Sequence, residues 1–145
     1  MVYDCAMRLL GIDPGLRRVG VALSDEDGRI AMPLTTLARV GDAPLLDALS
    51  ALAAEHAVGT VVVGLPLRLD GSESESSRKA RKLAAALEPR VSAEVVLWDE
   101  RLSTTQAERA LREGGVRGRD KKAVVDQVAA TLILQSFLDS RAPRG

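Results

Sequence analysis

The sequence predicts an α/β fold: a mixed five-stranded sheet, a three-stranded antiparallel meander plus parallel strands, flanked by helices. Three observations carry that expectation. The chain opens on short apolar runs parted by the turn pairs Pro14-Gly15 and Asp27-Gly28. Beyond residue 40, apolar runs alternate with segments of helical period. Thr60-Val-Val-Val63 is apolar on both sides, as a parallel strand covered on two faces must be.

Arg8 to Asp13 reads as the first strand and Val19 to Ser24 as the second. Ile30 to Leu37 is the third, bent near Pro33. A helix follows, capped by Asp42, with Pro44 in its first turn and Leu45, Leu46, Leu49, Leu52 and Ala53 on one face. Gly59 ends it, and Thr60 to Val63 is the fourth strand. Ser72-Glu-Ser-Glu75 fits a capping box for a helix reaching about Leu87, which Pro89 stops. The fifth strand lies within Val91 to Trp98. Ser103-Thr-Thr-Gln106 opens a helix to about Glu113, closed by Gly114-Gly115. A basic loop, 116–122, leads to a last helix from Ala123 to about Ser140. Strands one, four and five pair in parallel through right-handed crossovers, and strands two and three extend one side. No repeat or linker interrupts residues 1–145, so one domain is expected.

Composition narrows the function. Twenty Lys and Arg balance twenty Asp and Glu, but residues 101–145 carry 9 basic and 5 acidic side chains against 11 and 15 before them. A basic end beside an acidic body fits a phosphate-rich partner near a carboxylate site, or merely a solvated helix face. The single Cys5 excludes an internal disulfide framework or a cysteine zinc cluster, and the single His56 excludes a histidine-rich metal site. His56 falls on the apolar helix face and is expected to pack there; Trp98 is expected in the core. No apolar run approaches the roughly 20 residues of a membrane span, and Met1 to Arg8 lacks a signal peptide's apolar stretch; a cytoplasmic protein is expected. Tyr3, Trp98 and Phe137 are the only aromatics, too few for a row of base-stacking rings. Nucleic acid, if bound, is held mostly through its phosphates.

Three carboxylates sit where elements end: Asp13 after strand one, Glu100 after strand five, and Asp126 early in the last helix. Ligand sites gather at the carboxyl ends of parallel strands. Ala129 and Ala130 would let the last helix approach the sheet and bring Asp126 to that end. Clustered carboxylates without His or Cys call for Mg²⁺ or Mn²⁺, and two such ions suit phosphodiester hydrolysis. Each acid also has a plainer reading: turn former, solvated strand end, or dipole-favoured helix acid. Strand alternation alone does not choose between Asp99 and Glu100. Arg17 and Arg18, Arg101, and Lys121 and Lys122 each adjoin one of the acids, either as phosphate clamps or as ion pairs. Arg112, Arg117 and Arg119 widen the basic surface.

Gly11-Ile-Asp13-Pro-Gly15-Leu-Arg-Arg18-Val-Gly-Val-Ala22, Gly64-Leu-Pro66 with Asp70-Gly71, Asp99-Glu100-Arg101-Leu-Ser-Thr-Thr105, and Lys121-Lys122 with Asp126-Gln-Val-Ala-Ala130 resemble, in order, the four motifs of the YqgF/RuvX family. The resemblance runs from about Arg8 to Leu138 and implies an RNase H-like fold. It implies Asp13, Glu100 and Asp126 as metal ligands and favours Glu100 over Asp99. It implies a nuclease acting in 5′-end maturation of precursor 16S rRNA, with a resolvase of four-way DNA junctions as the alternative. Structured RNA is therefore the favoured partner, with branched DNA second. A resolvase would require a symmetric homodimer. A non-catalytic binding module is disfavoured by the complete acid set. A two-domain ATP-binding fold is disfavoured by the chain's length.

Overall fold

The computed structural model describes residues 7–102 and 119–141, with side chains from residue 125 onward in the last segment. Five strands form one sheet: β1 (Arg8–Pro14), β2 (Arg18–Ser24), β3 (Ala31–Ala38), β4 (Val58–Leu65) and β5 (Glu94–Asp99), in the order β3-β2-β1-β4-β5. β1 is antiparallel to β2 and parallel to β4; β2 and β3 are antiparallel, β4 and β5 parallel. This is the predicted mixed sheet. Pro33 lies on the edge strand, where its missing N–H costs no ladder bond. The β2–β3 register shifts beside it, between Val21 and Ala22.

Strand alternation sorts the sheet's side chains into two cores. Leu10, Ile12, Val19, Val21, Val61 and Val63 face α1 (Asp42–Glu55) and α2 (Glu75–Leu87), against Leu45, Leu49, Leu83 and Leu87. Leu9, Ala22 and Val62 face α3 (Arg119–Arg141), which presents Ala130, Ile133, Leu134 and Leu138. Burying each large aliphatic contributes about 1.5–3 kcal/mol before entropy is counted. Polar bonds fix α3 in register: the Gln135 side chain accepts from the Ala31 N–H and donates to the Arg29 carbonyl, both at 2.9 Å.

Several local expectations are corrected. Asp42 does not cap α1; Gly41 does, at φ 117°, and Asp42 is the first helical residue, its carboxylate 3.7 Å from Arg39. α1 ends at Glu55 rather than Gly59, because Ala57 takes the left-handed conformation at φ 52°. Gly59 instead lies in β4, where a side chain would collide with Met7. The capping box of α2 is Ser74 with Ser77, two residues beyond the expected start. Ser72 is engaged elsewhere, its N–H and hydroxyl both donating to Asp70. Residues 119–122 are helical rather than loop, as Arg119, Lys121 and Lys122 after Gly118 allow. The predicted helix from Ser103 to about Glu113 and the N-terminal arm with Cys5 lie outside the described residues.

Trp98 is half-buried, packed against the rim of the α3-side core. It stands edge-on to Phe137 and donates to the Ser136 hydroxyl at 3.1 Å. His56 closes α1, its ring largely covered and its Nε2 3.6 Å from Glu55.

Candidate active site

The three acids are buried at the carboxyl end of the parallel strands: Asp13 is 3% exposed, Glu100 2% and Asp126 5%. Glycines explain how they fit. Asp13 pairs with Gly20 of β2, and the β1–β4 register, which runs to Ile12 with Val63, next sets Asp13 beside Gly64. Asp126 of α3 lies over Gly20, where a Cβ would stand 3.2 Å from the Asp126 Cβ and 2.0 Å from its carbonyl oxygen. Glu100 lies over Gly64, where a Cβ would stand 3.0 Å from its Oε2. Each outer acid thus sits above an empty Cβ position on a strand next to that of Asp13. Neighbouring strands are about 4.8 Å apart, so the three acids stand over three adjacent strands at one end of the sheet. Gly11, on the same face, meets Leu134 and Ala130 and lets α3 lie close.

Glu100 and Asp99 are set apart by the end of β5. Asp99 is the last strand residue, and Glu100 opens a short 3-10 turn that carries its side chain under α3. Asp99 is bound to Arg101, whose Nε lies 3.0 and 3.1 Å from the two carboxylate oxygens and whose Nη2 lies at 2.7 Å. That pairing holds the Asp99 carboxyl below its usual range and raises Arg101. Arg101 also donates to the Leu69 carbonyl at 3.3 Å, tying the end of β5 to the β4–α2 loop.

Arg18 Nε donates to Asp126 Oδ2 at 2.7 Å, with the carboxylate side chain only 8% exposed. Burying an acid of α3 against the sheet calls for such a partner. Arg17 is exposed in the turn after Asp13. Lys121 and Lys122 fall in the first turn of α3, with side chains outside the described residues. Sequence reasoning passed over Arg39, whose Nη1 donates to the Gly15 carbonyl at 3.0 Å and braces the turn that follows Asp13. An arginine just beyond a strand, before a glycine, gives no signal of that bond.

The donor set suits a hard divalent cation: carboxylate oxygens only, no sulfur or imidazole. The glycine cradle holds all three acids at one end of the sheet. As placed, with Arg18 on Asp126, no three acidic, histidine or cysteine side chains among the described residues form a group able to enclose an ion. The residues fit such an ion in chemistry and location, and binding it would require side-chain adjustment.

An antiparallel β1–β2–β3 meander continued by parallel β4 and β5, with a helix across the face that carries the acids, is the RNase H-like fold. RuvC of Thermus thermophilus in complex with a Holliday junction substrate superposes with a TM-score of 0.59, covering 93% of this chain and 95% of that one at 14% identity. A second T. thermophilus RuvC structure gives 0.56 at 13% identity over 93% and 96% of the two chains. At such identities the likeness speaks for the fold alone.

Sequence comparison is more specific. The model of the family described as RuvX, Holliday junction resolvase, matches residues 7–140. A protein of Anaeromyxobacter dehalogenans strain 2CP-C, provisionally named pre-16S rRNA nuclease, is 47% identical over 94% of this chain and its own full length. Relatives of the same provisional name are 45% identical in Myxococcus xanthus (94% of this chain, 91% of that one) and 49% in Mycobacterium tuberculosis strain H37Ra (92% and 79%). The chain belongs to the RuvX family and is a nuclease, a hydrolase of phosphodiester bonds. Among the described residues, no helix is long and apolar enough to cross a membrane.

Proposed function

We propose that this nuclease, a single domain over residues 1–145, matures the 5′ end of precursor 16S rRNA in the cytoplasm. The substrate rests on relatives at 45–49% identity that carry that provisional name. The observation that carries the chemistry is the glycine-cradled set of buried acids, Asp13, Glu100 and Asp126. These residues would hold one or two Mg²⁺ or Mn²⁺ ions. When bound, such ions orient the phosphate, lower the pKa of water and stabilise the leaving oxygen. The chain contributes the carboxylates and a helix, α3, that shields them on one side. Arg17 is exposed beside Asp13 to meet a phosphate, and Lys121 and Lys122 extend the same role to the start of α3. Arg18 and Arg101 begin from carboxylate pairs, on Asp126 and Asp99. Each would have to exchange an acid for a phosphate to act as a clamp. Structured RNA is the preferred substrate of this reading.

A second reading, cleavage of branched DNA as a homodimer, is favoured by the description of the family as Holliday junction resolvases. One assay separates the two. Purified protein and its Asp13→Asn variant are given a 5′-extended ribosomal RNA and a four-way DNA junction with Mg²⁺ or Mn²⁺. RNA cut by wild type alone supports maturation. Symmetric cutting of the junction alone moves the assignment to a resolvase. Cutting by both proteins removes Asp13 from the chemistry.

A further inference from the structure

A basic notch lies on the face of the sheet opposite α3. Arg39, Lys79 and Lys82 line a cavity of about 190 Å³, whose other walls include Leu46, Leu83 and Asp42. Leu46 and Leu83 are 6% and 3% exposed, so the notch has a rigid apolar floor beneath charged rims. Asp42 is the acidic lining residue, and its exposed carboxylate leans toward Arg39 at 3.7 Å. Lys79 stands 4.0 Å from Glu75, a loose and solvated pair, and Lys82 is exposed. Such a notch has the size and charge for an anionic group.

Its position identifies the anion. Arg39 is only 11% exposed at its side chain and is held in place by the Gly15 carbonyl, two residues beyond Asp13. Its backbone N–H donates to the Arg17 carbonyl at 2.9 Å. The notch and the acids therefore flank one turn, with exposed Arg17 between them. Lys79 and Lys82 lie in the second and third turns of α2, which follows the carboxyl end of β4, the end that carries the acids. A polyanion seated on the acids and continuing over the β1–β2 turn meets Arg17, Arg39, Lys79 and Lys82 in succession.

We propose that this notch is a second phosphodiester-binding site, which anchors the nucleic-acid strand away from the bond that is cut. Arg39 is its fixed donor; Lys79 and Lys82 supply mobile charge. The inference rests on the nuclease reading and gives it a track: the strand crosses from the α3 face over the carboxyl edge to the α1–α2 face. Phosphate contacts of this kind position a substrate without reading its sequence.

The test is binding in the Asp13→Asn background, so that substrate is not consumed. Affinity for the 5′-extended RNA and for the four-way junction is measured across a salt series, with and without Lys79→Glu/Lys82→Glu. The control, Arg8→Glu/Arg90→Glu, makes the same charge change at the amino end of the sheet. Thermal melts confirm that each variant is folded. The notch variant should bind at least tenfold more weakly, and its salt slope should fall by about 1.5, as two lost phosphate contacts require. The control should change both far less. Loss on RNA alone would assign the track to RNA; loss on both substrates would assign it to the shared phosphodiester. Equal losses in notch variant and control, or unchanged affinity and slope, would overturn the second site and leave the nuclease assignment standing. If neither the Asp13→Asn protein nor wild type with Ca²⁺ in place of Mg²⁺ binds either polymer, the proposed substrates fail and this inference with them.

Discussion

Gly20 and Gly64 hold equivalent places in the site, yet alanine at the two should fail differently. At Gly20 the new Cβ would stand 2.0 Å from the Asp126 carbonyl oxygen and 2.5 Å from its carbon. Both atoms are helix backbone and cannot rotate away. Ordinary contact begins near 3.4 Å, so α3 would have to retreat by about 1.4 Å at that turn. Overpacking of this kind costs about 1–3 kcal/mol. For a domain of this size that lowers Tm by about 2–12 °C. Lifting Asp126 by more than 1 Å should also lower cleavage about 100-fold.

At Gly64 the nearest atoms are Ile133 Cδ1 at 2.7 Å and Glu100 Oε2 at 3.0 Å, both ends of flexible side chains. They can rotate, so Gly64→Ala should lower Tm by only a few degrees. Glu100 is the group displaced, and cleavage should still fall 10-fold or more. Melting followed by circular dichroism and single-turnover cleavage of the ribosomal RNA measure both effects. If Gly20→Ala melts and cuts like wild type, α3 does not sit on Gly20 as described, and the convergence of Asp13 with Asp126 fails with it. If Gly64→Ala keeps full activity, Glu100 has no part in the chemistry.

Mg²⁺ at millimolar concentration should raise the Tm of wild type, and Asp13→Asn should lose most of that gain; equal shifts in the two proteins would separate Asp13 from any metal. The Asp99 carboxyl is held low by Arg101, so its stabilisation is present above the ordinary aspartate range near pH 3.9 and is lost as pH falls through the depressed value. Asp99→Asn should accordingly melt below wild type at pH 7 and approach it as pH falls below the ordinary aspartate range, as scanning calorimetry would record. Leu134, fully buried over Gly11, should cost about 2–5 kcal/mol on replacement by alanine, read from the shift in the urea unfolding midpoint.

Most of the sheet was legible because its signals are local. Turn pairs parted β1, β2 and β3, and the doubly apolar β4 announced burial on two faces. The expectations that failed are those where a tertiary contact outweighed a local preference. Gly59 resembles a helix stop, but Ala57 already takes the left-handed conformation two residues earlier, and Gly59 is needed in β4 because Met7 packs where its side chain would be. Ser72 resembles a cap, but Asp70 takes both its donors and leaves Ser74 to cap α2. Trp98 resembles core, but β5 is an edge strand whose Trp shares its ring with Phe137 and its N–H with Ser136.

The acids were legible one at a time, each at the end of an element; their arrangement was not. Glycine inside a strand signals close backbone approach, and Gly20 and Gly64 were in view, but a sequence does not say what approaches. In the folded chain the answers are Asp126 and Glu100, brought to the two strands beside Asp13. The choice between Asp99 and Glu100 has the same character. Both are acids at a strand end, and only the turn after β5 separates an aspartate bound to Arg101 from a glutamate buried beneath α3. The arginines show the limit from the other side. Adjacency to an acid in sequence was compatible with clamping a phosphate or with pairing a carboxylate. Arg18 and Arg101 stand on carboxylates, Arg101 on Asp99 rather than on Glu100. Any phosphate they take must therefore outcompete a short charge-assisted bond already made. Exposed Arg17 has no such carboxylate pair among the described residues, and it lies on the turn that Arg39 braces. If Arg17 is a phosphate contact, Arg17→Ala should weaken RNA binding and lower its salt slope more than Arg18→Ala or Arg101→Ala; equal effects of the three would refute that ranking.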